Sequence, residues 1–363
     1  MNRTRQERYD AVIVGSGFAG ANMALLLARA GKRVLVLEAG PGLDTTHGDL
    51  FERYLLATIK TPTAPYPPDA GALDPSRTNA PRPTTEALLF AWNDPARSYL
   101  EHAPRSLPFG STSERLAGGT GNHWMGTAIR MDGADFTLRS TYGHGLDWPL
   151  GYEELEPYYR QAEQLIGVAG DRAEQEEVNG IPYGAGYDYP QGPIAPSHGD
   201  RIFQERVDGA AIAADSPAVA HTTSTPAGRN AGPFMNRSPC RGSTSCTPIC
   251  PVRAKYDPRE ALRSALDTGR VELRAKAVVD AVHIDEGGAV TSLHYLTYDD
   301  VSVPAATGRT GEGIATAGVY VLAAHAIENA RILLNTERVT GRPVANSSGL
   351  VGRHLMDLSL IHI

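Results

Sequence analysis

The hydrophobic pattern of the first forty residues predicts a strand, a helix and a second strand. The run Tyr9–Val14 predicts a short apolar strand. The segment Ala21–Ala30 is rich in alanine and leucine and predicts a helix, and the apolar run Arg33–Leu37 predicts the second strand. Strands joined by a helix in this way indicate a βαβ unit with a parallel sheet, so the predicted fold class is α/β.

Three glycines with the spacing G-x-G-x-x-G stand between the first strand and the helix. Gly15 is expected to make the tight turn, Gly17 to let the backbone approach a pyrophosphate, and Gly20 to let the helix pack closely on the strand. The N–H groups at the start of the helix would face the phosphates. Glu38 follows the second strand, eighteen residues after Gly20, where it can accept a hydrogen bond from a ribose hydroxyl. Together these features predict a site for an adenine dinucleotide.

The rest of the chain has further periodic segments. The predicted helices are Tyr152–Val168, in which Pro157 marks a start or a kink, a short patch at Phe203–Ala214, Arg259–Leu266 and Ile327–Leu334. The predicted strands are Val271–Leu273, Ala277–Ile284 and Val290–Tyr298, which alternate and are expected to be antiparallel, and the buried strand Val319–Ala323.

Composition is that of an ordinary globular protein. Of 363 residues, 41% are hydrophobic and 21% are charged, and the formal net charge is −7. No basic patch indicates a nucleic-acid partner, and no apolar run approaches the ~20 residues that a membrane span needs. The N-terminus leads into the first strand and not into an apolar segment, so we expect no signal peptide. This predicts a cytoplasmic location; the alternative is periplasmic, reached by export with a signal-bearing partner.

A second glycine-rich segment, Gly118–Gly126, indicates backbone that is pressed against a ligand or another strand. With the first motif and several later segments, it resembles the glucose–methanol–choline (GMC) flavoprotein oxidoreductases. The segments that carry the resemblance are Val14–Gly20, Leu37–Gly40, Gly118–Gly126, Asp147–Pro149, Tyr152–Tyr159, Tyr320–Ala324 and Asn346–Asp357. The resemblance implies a Rossmann-like FAD-binding domain of the GMC type with a discontinuous, incomplete substrate-binding domain.

The same resemblance implies FAD as the cofactor and not NAD. Glu38 would hold the adenosine ribose, Ala277–Val279 would lie along the adenine, and the loop Gly118–Gly126 would pass beside the flavin. The residues assigned in this way to the cofactor site are Gly15, Ser16, Gly17, Phe18, Ala19, Gly20, Glu38, Ala39, Gly118, Gly119, Thr120, Gly121, Asn122, His123, Trp124, Met125, Val278, Ala323 and His325.

Two of these histidines have alternative interpretations. Some relatives carry a histidine at the position of His123, before a tryptophan, that bonds covalently to the flavin 8-methyl group. The alternative is a loop histidine that is hydrogen-bonded to backbone. His325 stands where a strand gives way to a helix, at a position that is usually Gly or Asn in relatives. We expect it to cap the helix, with a flavin contact as the alternative.

All three cysteines, Cys240, Cys246 and Cys250, lie in one loop. Closely spaced thiolates suit a metal or an iron–sulfur cluster, and an odd number of cysteines without an export signal argues against a disulfide framework. Structural zinc needs four protein ligands, and no histidine lies nearby to complete the set. The loop resembles a 3Fe–4S site in one GMC subgroup, the bacterial FAD-dependent fructose, gluconate and glucose dehydrogenases. The alternative is three structural free thiols.

The end of the chain is also informative. The family's catalytic histidine, followed by a second histidine or an asparagine, is expected beyond Asp357, so no catalytic residue is assigned within the chain. Residues 358–363 read as the translation of CTG-TCT-CTT-ATA-CAC-ATC, a transposon adapter, and we expect them to be an adapter scar on a truncated reading frame. His362 is therefore not a candidate base. A chain truncated there is expected to be poorly stable and inactive alone.

The resemblance also implies a domain organisation. Residues 1–60, 110–150 and 252–357 are predicted to form the FAD-binding domain. Residues 61–109 are predicted to be a Pro-rich lid or excursion, and 151–251 a portion of the substrate domain that includes the cysteine loop 240–251.

The implied function is an FAD-dependent dehydrogenase that oxidises a CH–OH group of a sugar, polyol or sugar acid by hydride transfer to flavin N5. Electrons would leave through the iron–sulfur cluster to a cytochrome c or quinone-linked subunit, with a small chaperone-like subunit as a further partner. One alternative is a pyranose-oxidase-like FAD oxidase that makes peroxide, favoured by Asn122-His123-Trp124. Another is a hydroxynitrile lyase of the same family, against which the cysteine loop argues.

Overall fold

The computed structural model describes residues 9–44, 46–56, 115–212, 217–243, 246, 249–299, 308–353 and 355. The Pro-rich segment 61–109 and residues 358–363 lie outside the described residues, and the predictions made for them stay predictions. In chain order the helices and strands are β1 Tyr9–Val14, α1 Phe18–Arg29, β2 Val34–Leu37, α2 His47–Leu56, α3 Leu138–Tyr142, α4 Tyr152–Ile166, α5 Arg172–Glu177, α6 His198–Val207, α7 Pro258–Asp267, β3 Val271–Arg274, β4 Ala277–Ile284, β5 Val290–Tyr298, β6 Arg309–Ala315, β7 Ala317–Leu322 and α8 Ala326–Thr340.

The chain divides into two compact units. One, here called the sheet unit, takes in residues 1–123 and 257–363; the other, the inserted unit, comprises residues 124–256. All seven named strands belong to the sheet unit, and α3 to α6 belong to the inserted unit.

A four-stranded parallel sheet forms the centre of the sheet unit, in the order β3-β2-β1-β7. Ile13 in β1 pairs with Val36 of β2 on one side and with Val321 of β7 on the other. Ile13 and all four residues of β2 have no exposed surface, as expected for the middle of a parallel sheet covered on both faces. The α/β fold class predicted from the sequence is confirmed.

One strand prediction is wrong. Val271–Leu273 was expected to be antiparallel like the two strands that follow it, but β3 runs parallel to β2, with Leu273 opposite Val36. The preceding helix explains the difference: α7 begins at Pro258 behind an Asp257 cap and provides the crossover that a parallel strand requires. Four residues of alternation contain no information about strand direction.

The predictions for the next two strands are confirmed. β4 and β5 have the predicted bounds and pair antiparallel, and β6, which the sequence did not reveal, extends them to a three-stranded sheet. Side chains from this sheet, from α8 and from β1 and β2 pack into one hydrophobic core, which includes Val12, Leu35, Val279, Leu293 and Ile332.

In the inserted unit, one helix agrees with its prediction and another differs from it. α4 begins at Tyr152 as predicted and runs through Pro157, which does not start a new helix, with Glu154 accepting from the N–H of Gly151 to close the first turn. The predicted patch at Phe203–Ala214 is instead a helix from His198 to Val207. A capping box between Ser197 and Asp200 fixes its start, a signal that apolar periodicity does not contain.

Within the described part of the chain, no helix is both long enough and apolar enough to cross a membrane.

Candidate cofactor site

A cavity of about 490 Å³ opens in the sheet unit at the carboxyl ends of three parallel strands. Val14, Leu37 and Leu322, the last residues of β1, β2 and β7, lie in its wall. This is the edge of a parallel sheet at which dinucleotides bind, and the volume lies in the range of small-molecule sites.

Glycine stands at each of the three positions of the first motif for a different physical reason. Gly15 has a φ of +91°, and a Cβ there would lie 2.6 Å from the carbonyl oxygen of Ala323. A Cβ on Gly20 would lie 2.0 Å from the Gly15 carbonyl oxygen, so only glycine lets α1 approach β1 this closely. At Gly17 the nearest atom to a Cβ is the Gly118 carbonyl oxygen, 3.9 Å away. A side chain at Gly17 would therefore not clash with the protein, and the absence of one leaves space in the cavity.

The N-terminus of α1 faces this space. Gly17 is its N-cap, with no side-chain capping bond, and the first turn contains no acidic residue. The first N–H groups of a helix have no partner within the helix and bear partial positive charge. Because Gly17, Phe18 and Ala19 line the cavity, the site offers N–H donors to an anionic group such as a pyrophosphate.

Glu38 brings a buried carboxylate to the cavity wall from the end of β2. It is 5% exposed. Oε2 accepts from the N–H of Ser16 at 3.0 Å and from its hydroxyl at 2.6 Å, and Oε1 accepts from the N–H of Gly40 at 2.8 Å. An ionised carboxylate has about four acceptor positions, so these three bonds leave capacity for a ligand hydroxyl.

The second glycine loop lies beside the first. The N–H of Gly118 donates to the carbonyl oxygen of Ser16 at 3.2 Å, and residues Gly119–Asn122 form a 3₁₀ turn. The Asn122 amide donates to the carbonyl oxygens of Ala117 and Gly119, which holds the turn closed. Gly119 and Thr120 are the residues of this loop that line the cavity.

The start of α8 forms another part of the cavity wall. His325 is its N-cap, and Nδ1 accepts from the N–H of Ile327 at 3.4 Å. Its φ of 82° and ψ of 154° belong to a region that glycine occupies almost alone. Asn329 accepts from the N–H of Ala324 and donates to the Leu322 carbonyl oxygen, so it fixes the turn from β7 into α8. The helix cap expected for His325 is thus present, in a strained backbone conformation.

The structure places most of the predicted cofactor residues around one cavity. Those in its wall are Gly15, Ser16, Gly17, Phe18, Ala19, Glu38, Ala39, Gly119, Thr120, Val278, Ala323 and His325. Gly20 supports the turn from behind, and Gly118, Gly121, Asn122 and His123 belong to the second glycine loop without lining the cavity. Trp124 and Met125 belong to the inserted unit, where the Trp124 indole donates to the Tyr256 carbonyl oxygen.

Sequence reasoning missed four polar residues of the wall: Arg115, Glu328, Asn329 and Arg331. Arg331 pairs with Glu328 at 2.7 Å, and Arg115 lies 3.9 Å from the same carboxylate. For Glu328, Asn329 and Arg331 the available signal was the polar start of a helix that follows a strand of the parallel sheet, since such a helix begins at the binding edge of the sheet. The prediction that this strand, β7, is buried is wrong: Val319 is 57% exposed, because β7 is the last strand of the described sheet.

The cysteine loop lies in the inserted unit, against basic side chains. Arg229 Nη1 lies 3.8 Å from Cys246 Sγ, and Lys255 Nζ donates to the Cys246 carbonyl oxygen at 2.7 Å. Arg237 is 8% exposed and donates to the carbonyl oxygens of Gly228, Ala254 and Ile166. Burial lowers the pKa of Arg237, and the nearby Tyr256 and Cys250 only partly offset this.

The positions of the thiols do not match a complete ligand set. Among the described residues, no three His, Cys, Asp or Glu side chains lie together in a way that could hold a metal ion. Cys240 and Cys246 are partly exposed and Cys250 is buried. The soft donors and the positive surroundings suit an anionic cluster, although the described side chains are not grouped as its ligands.

Comparison with known proteins agrees with a Rossmann-like fold around the cavity. A family model described as an NAD(P)-binding Rossmann-like domain matches residues 13–50. The chain is 31% identical over 352 residues to the fructose dehydrogenase large subunit of Gluconobacter japonicus, covering 96% of the chain and 58% of that protein. It is 26% identical over 377 residues to the gluconate 2-dehydrogenase flavoprotein of Pantoea cypripedii, covering 96% and 55%.

A third relative widens the range of named substrates. The chain is 28% identical over 363 residues to the 2-methyl-1,2-propanediol dehydrogenase of Mycolicibacterium austroafricanum, covering 97% of the chain and 55% of the relative. The chain thus spans a little over half the length of each of these relatives. Similarity along nearly the whole chain, together with the motifs around the cavity, agrees with the resemblance to the glucose–methanol–choline flavoprotein oxidoreductases that the sequence motifs indicate.

Proposed function

We propose that the chain binds FAD in the cavity of the sheet unit and belongs to a dehydrogenase that oxidises CH–OH groups. The observation that carries this proposal is the meeting of the open α1 N-terminus and the Glu38 carboxylate at one cavity. A dinucleotide with a pyrophosphate and a ribose diol presents the groups that these two features bind.

Each group that lines the cavity has a defined role in this proposal. The N–H groups of the first turn of α1 bind the pyrophosphate, and Gly17 leaves room for it. Glu38 accepts from a ribose hydroxyl with its remaining acceptor position. The second glycine loop, through Gly119 and Thr120, borders the cavity for the rest of the cofactor. FAD supplies the hydride acceptor, and the protein supplies position and electrostatics.

The names of the relatives support the substrate class. They concern a ketose sugar, a sugar acid and a small diol, all of which contain a CH–OH group. We therefore propose an alcohol substrate, either a sugar derivative or a small polyol. The general base that the oxidation requires is not assigned to any residue of this chain.

The direct test is anaerobic reduction of the bound flavin in the native protein. Fructose, gluconate and 2-methyl-1,2-propanediol are added in turn, and the visible absorbance of the oxidised flavin is followed. Bleaching by one of them, with transfer to an artificial acceptor and little peroxide on exposure to air, supports the dehydrogenase. Rapid stoichiometric peroxide favours the oxidase, and flavin that no alcohol reduces contradicts both.

The electron route from the flavin is a separate proposal. The three-cysteine loop and its basic surroundings support an iron–sulfur cluster that passes electrons to another subunit, as the words "large subunit" suggest for one relative. Because the described thiols do not form a ligand set, no step of the alcohol oxidation is assigned to this loop. Iron analysis and electron paramagnetic resonance of oxidised protein, compared with Cys246→Ser, test it. A signal lost in the variant supports the cluster, and protein without iron makes the thiols structural.

A further inference from the structure

We infer that the Ser16 hydroxyl is a positioning group that couples the ribose-binding carboxylate of Glu38 to the second glycine loop, and that tight FAD binding depends on it. The inference rests on the proposed function, because it assumes that FAD occupies the cavity. It assigns Ser16 a role other than direct contact with the cofactor.

Ser16 is too buried to act as a ligand-binding side chain. Although it belongs to the cavity wall, it has 0% exposed surface. Its hydroxyl is instead 2.6 Å from Glu38 Oε2, and its N–H is 3.0 Å from the same oxygen. Both donors of one residue thus converge on one carboxylate oxygen and fix its direction.

The same hydroxyl reaches the second glycine loop. The N–H of Gly118 lies 3.3 Å from Ser16 Oγ, in addition to its 3.2 Å bond to the Ser16 carbonyl oxygen. A serine hydroxyl has one donor and two acceptor positions. Because its donor is used by Glu38, its oxygen can only accept from Gly118. The bonds therefore run in one direction, from the Gly118 N–H through the hydroxyl to the carboxylate, and each polarises the next.

The other end of the carboxylate is also fixed. Glu38 Oε1 accepts from the N–H of Gly40, and a Cβ on Gly40 would lie only 1.8 Å from the carbonyl oxygen of Arg115. The chain from Arg115 leads directly to Gly118. The end of β2 and both glycine loops are therefore tied together at the Glu38 carboxylate and the Ser16 hydroxyl.

Removal of the hydroxyl has two consequences. Glu38 loses its shortest hydrogen bond, and Gly118 loses one of its two acceptors. Neither group is left entirely without a bond, because the Ser16 N–H and carbonyl oxygen remain. We therefore expect a folded Ser16→Ala variant that binds FAD about ten- to hundredfold more weakly, the factor typical of a hydrogen bond to a charged group.

Ser292→Ala is a matched control within the same unit. Ser292 is 7% exposed, and its hydroxyl lies 3.1 Å from Nδ1 of His283 on the neighbouring strand, outside the cavity wall. FAD dissociation constants come from flavin fluorescence titration of the full chain, and the thermal midpoint of each flavin-free variant is measured alongside. Ser292→Ala should bind FAD as tightly as the wild type, whereas Ser16→Ala should bind it about ten- to hundredfold more weakly. The thermal midpoint of Ser16→Ala should fall no further than that of Ser292→Ala.

A double-mutant cycle with Glu38→Gln separates positioning from a general loosening of the fold. If Ser16 acts through the carboxylate, Ser16→Ala should weaken FAD binding less than about threefold in the Glu38→Gln background, where no charged acceptor remains. Ser16→Cys, which keeps the size of the side chain but is a weak donor, should fall between wild type and Ser16→Ala, and it serves if Ser16→Ala does not fold.

Wild-type affinity in Ser16→Ala, or an equal loss in both backgrounds, overturns the inference while leaving the proposed function intact. A wild-type chain that binds no FAD overturns the proposed function itself. The bound-flavin fluorescence spectrum is a further readout. It should change in Ser16→Ala and not in Ser292→Ala, because only the former loosens the loop that borders the cavity.

Discussion

Two buried polar clusters, one in each unit, differ in a way that separates binding from stability. In the sheet unit, Glu38 is held by backbone N–H groups and one hydroxyl beside a cavity. In the inserted unit, Arg130 lies among carboxylates and tyrosine rings and is 5% exposed. The first cluster keeps an acceptor position open toward the cavity, and the second directs its donors to protein groups.

The Arg130 cluster is closed on all sides. Its guanidinium binds both oxygens of Glu163 at 2.7 Å and donates to the Tyr152 hydroxyl at 2.9 Å and to Glu156 at 3.2 Å. The ring of Tyr183 lies 4.1 Å from the guanidinium carbon. Burial alone would lower the pKa of Arg130, but the bonds to Glu163 and Tyr152 outweigh it and raise that pKa.

The difference shows how to interpret buried charge in this fold. A carboxylate that is bound by backbone donors and faces a cavity is prepared for a ligand. An ion pair that is bound by side chains on every side stabilises the folded state. Removing one member lowers the free energy of unfolding, because the other member stays buried without its counter-charge. Mutations in the two clusters should accordingly affect different measurements.

The largest effect is expected for Arg130→Met. Glu163 is 4% exposed and would remain as a buried carboxylate without its cation. The free energy of unfolding should fall by about 3–5 kcal/mol, followed in urea by the fluorescence of Trp124 and Trp148, which both lie in the inserted unit. A loss below about 1 kcal/mol, as for an exposed pair, would mean that the cluster does not stabilise the unit.

A pair of glycine variants should separate stability from binding within one motif. Gly20→Ala puts a Cβ 2.0 Å from a backbone oxygen and should lower the free energy of unfolding by about 2–3 kcal/mol or more. Gly17→Ala meets no atom closer than 3.9 Å. Its stability should fall by no more than about 1 kcal/mol, the cost of alanine at an N-cap, while FAD affinity falls at least about tenfold, because the methyl group occupies the space left for the pyrophosphate. Equal stability losses in both variants would contradict this account.

Alkaline pH should weaken the inserted unit. Burial raises the pKa of Tyr183 to about 12, and the bond to Tyr189 and the charge of Arg130 only partly oppose it. Since the folded pKa lies above the unfolded value near 10, this stabilisation is complete below pH ~10 and is lost as pH rises toward about 12. The part of the tyrosinate absorbance that comes from Tyr183 should therefore appear late and together with unfolding. Tyrosines that all titrate near pH ~10 in folded protein would exclude this burial.

The smallest effect is expected for His325→Gly. The variant loses a weak helix cap but relieves a backbone conformation that costs a non-glycine residue about 1–3 kcal/mol. Glycine is itself a tolerated N-cap. The free energy of unfolding should rise by about 1 kcal/mol in thermal or urea denaturation, and a decrease would show that the imidazole contributes more than the cap.

Local signals allowed part of this structure to be predicted from the sequence. The strand, glycine motif and helix around Gly15–Gly20, and the acid at Glu38, are contiguous, and their spacing alone fixes their geometry. The bounds of β4 and β5 also follow from alternation.

The remaining features depend on contacts distant in sequence. The parallel pairing of β3 with β2 joins residues that are 237 positions apart, such as Leu37 and Arg274. The Arg130 cluster joins Arg130 to Glu163 and Tyr187 across three segments with no shared motif. The three cysteines are close in the chain, yet the described residues contain no group of three ligands for a metal ion, so their spacing alone does not fix their geometry and the cluster stays a proposal.

The most direct test of the central claim is a competition between FAD and NAD for the cavity. The account predicts that the chain binds one FAD, that Glu38→Gln weakens this binding at least about tenfold, and that excess NAD does not displace it. Displacement of FAD by NAD, or unchanged FAD affinity in Glu38→Gln, would contradict the assignment of this cavity as a flavin dinucleotide site.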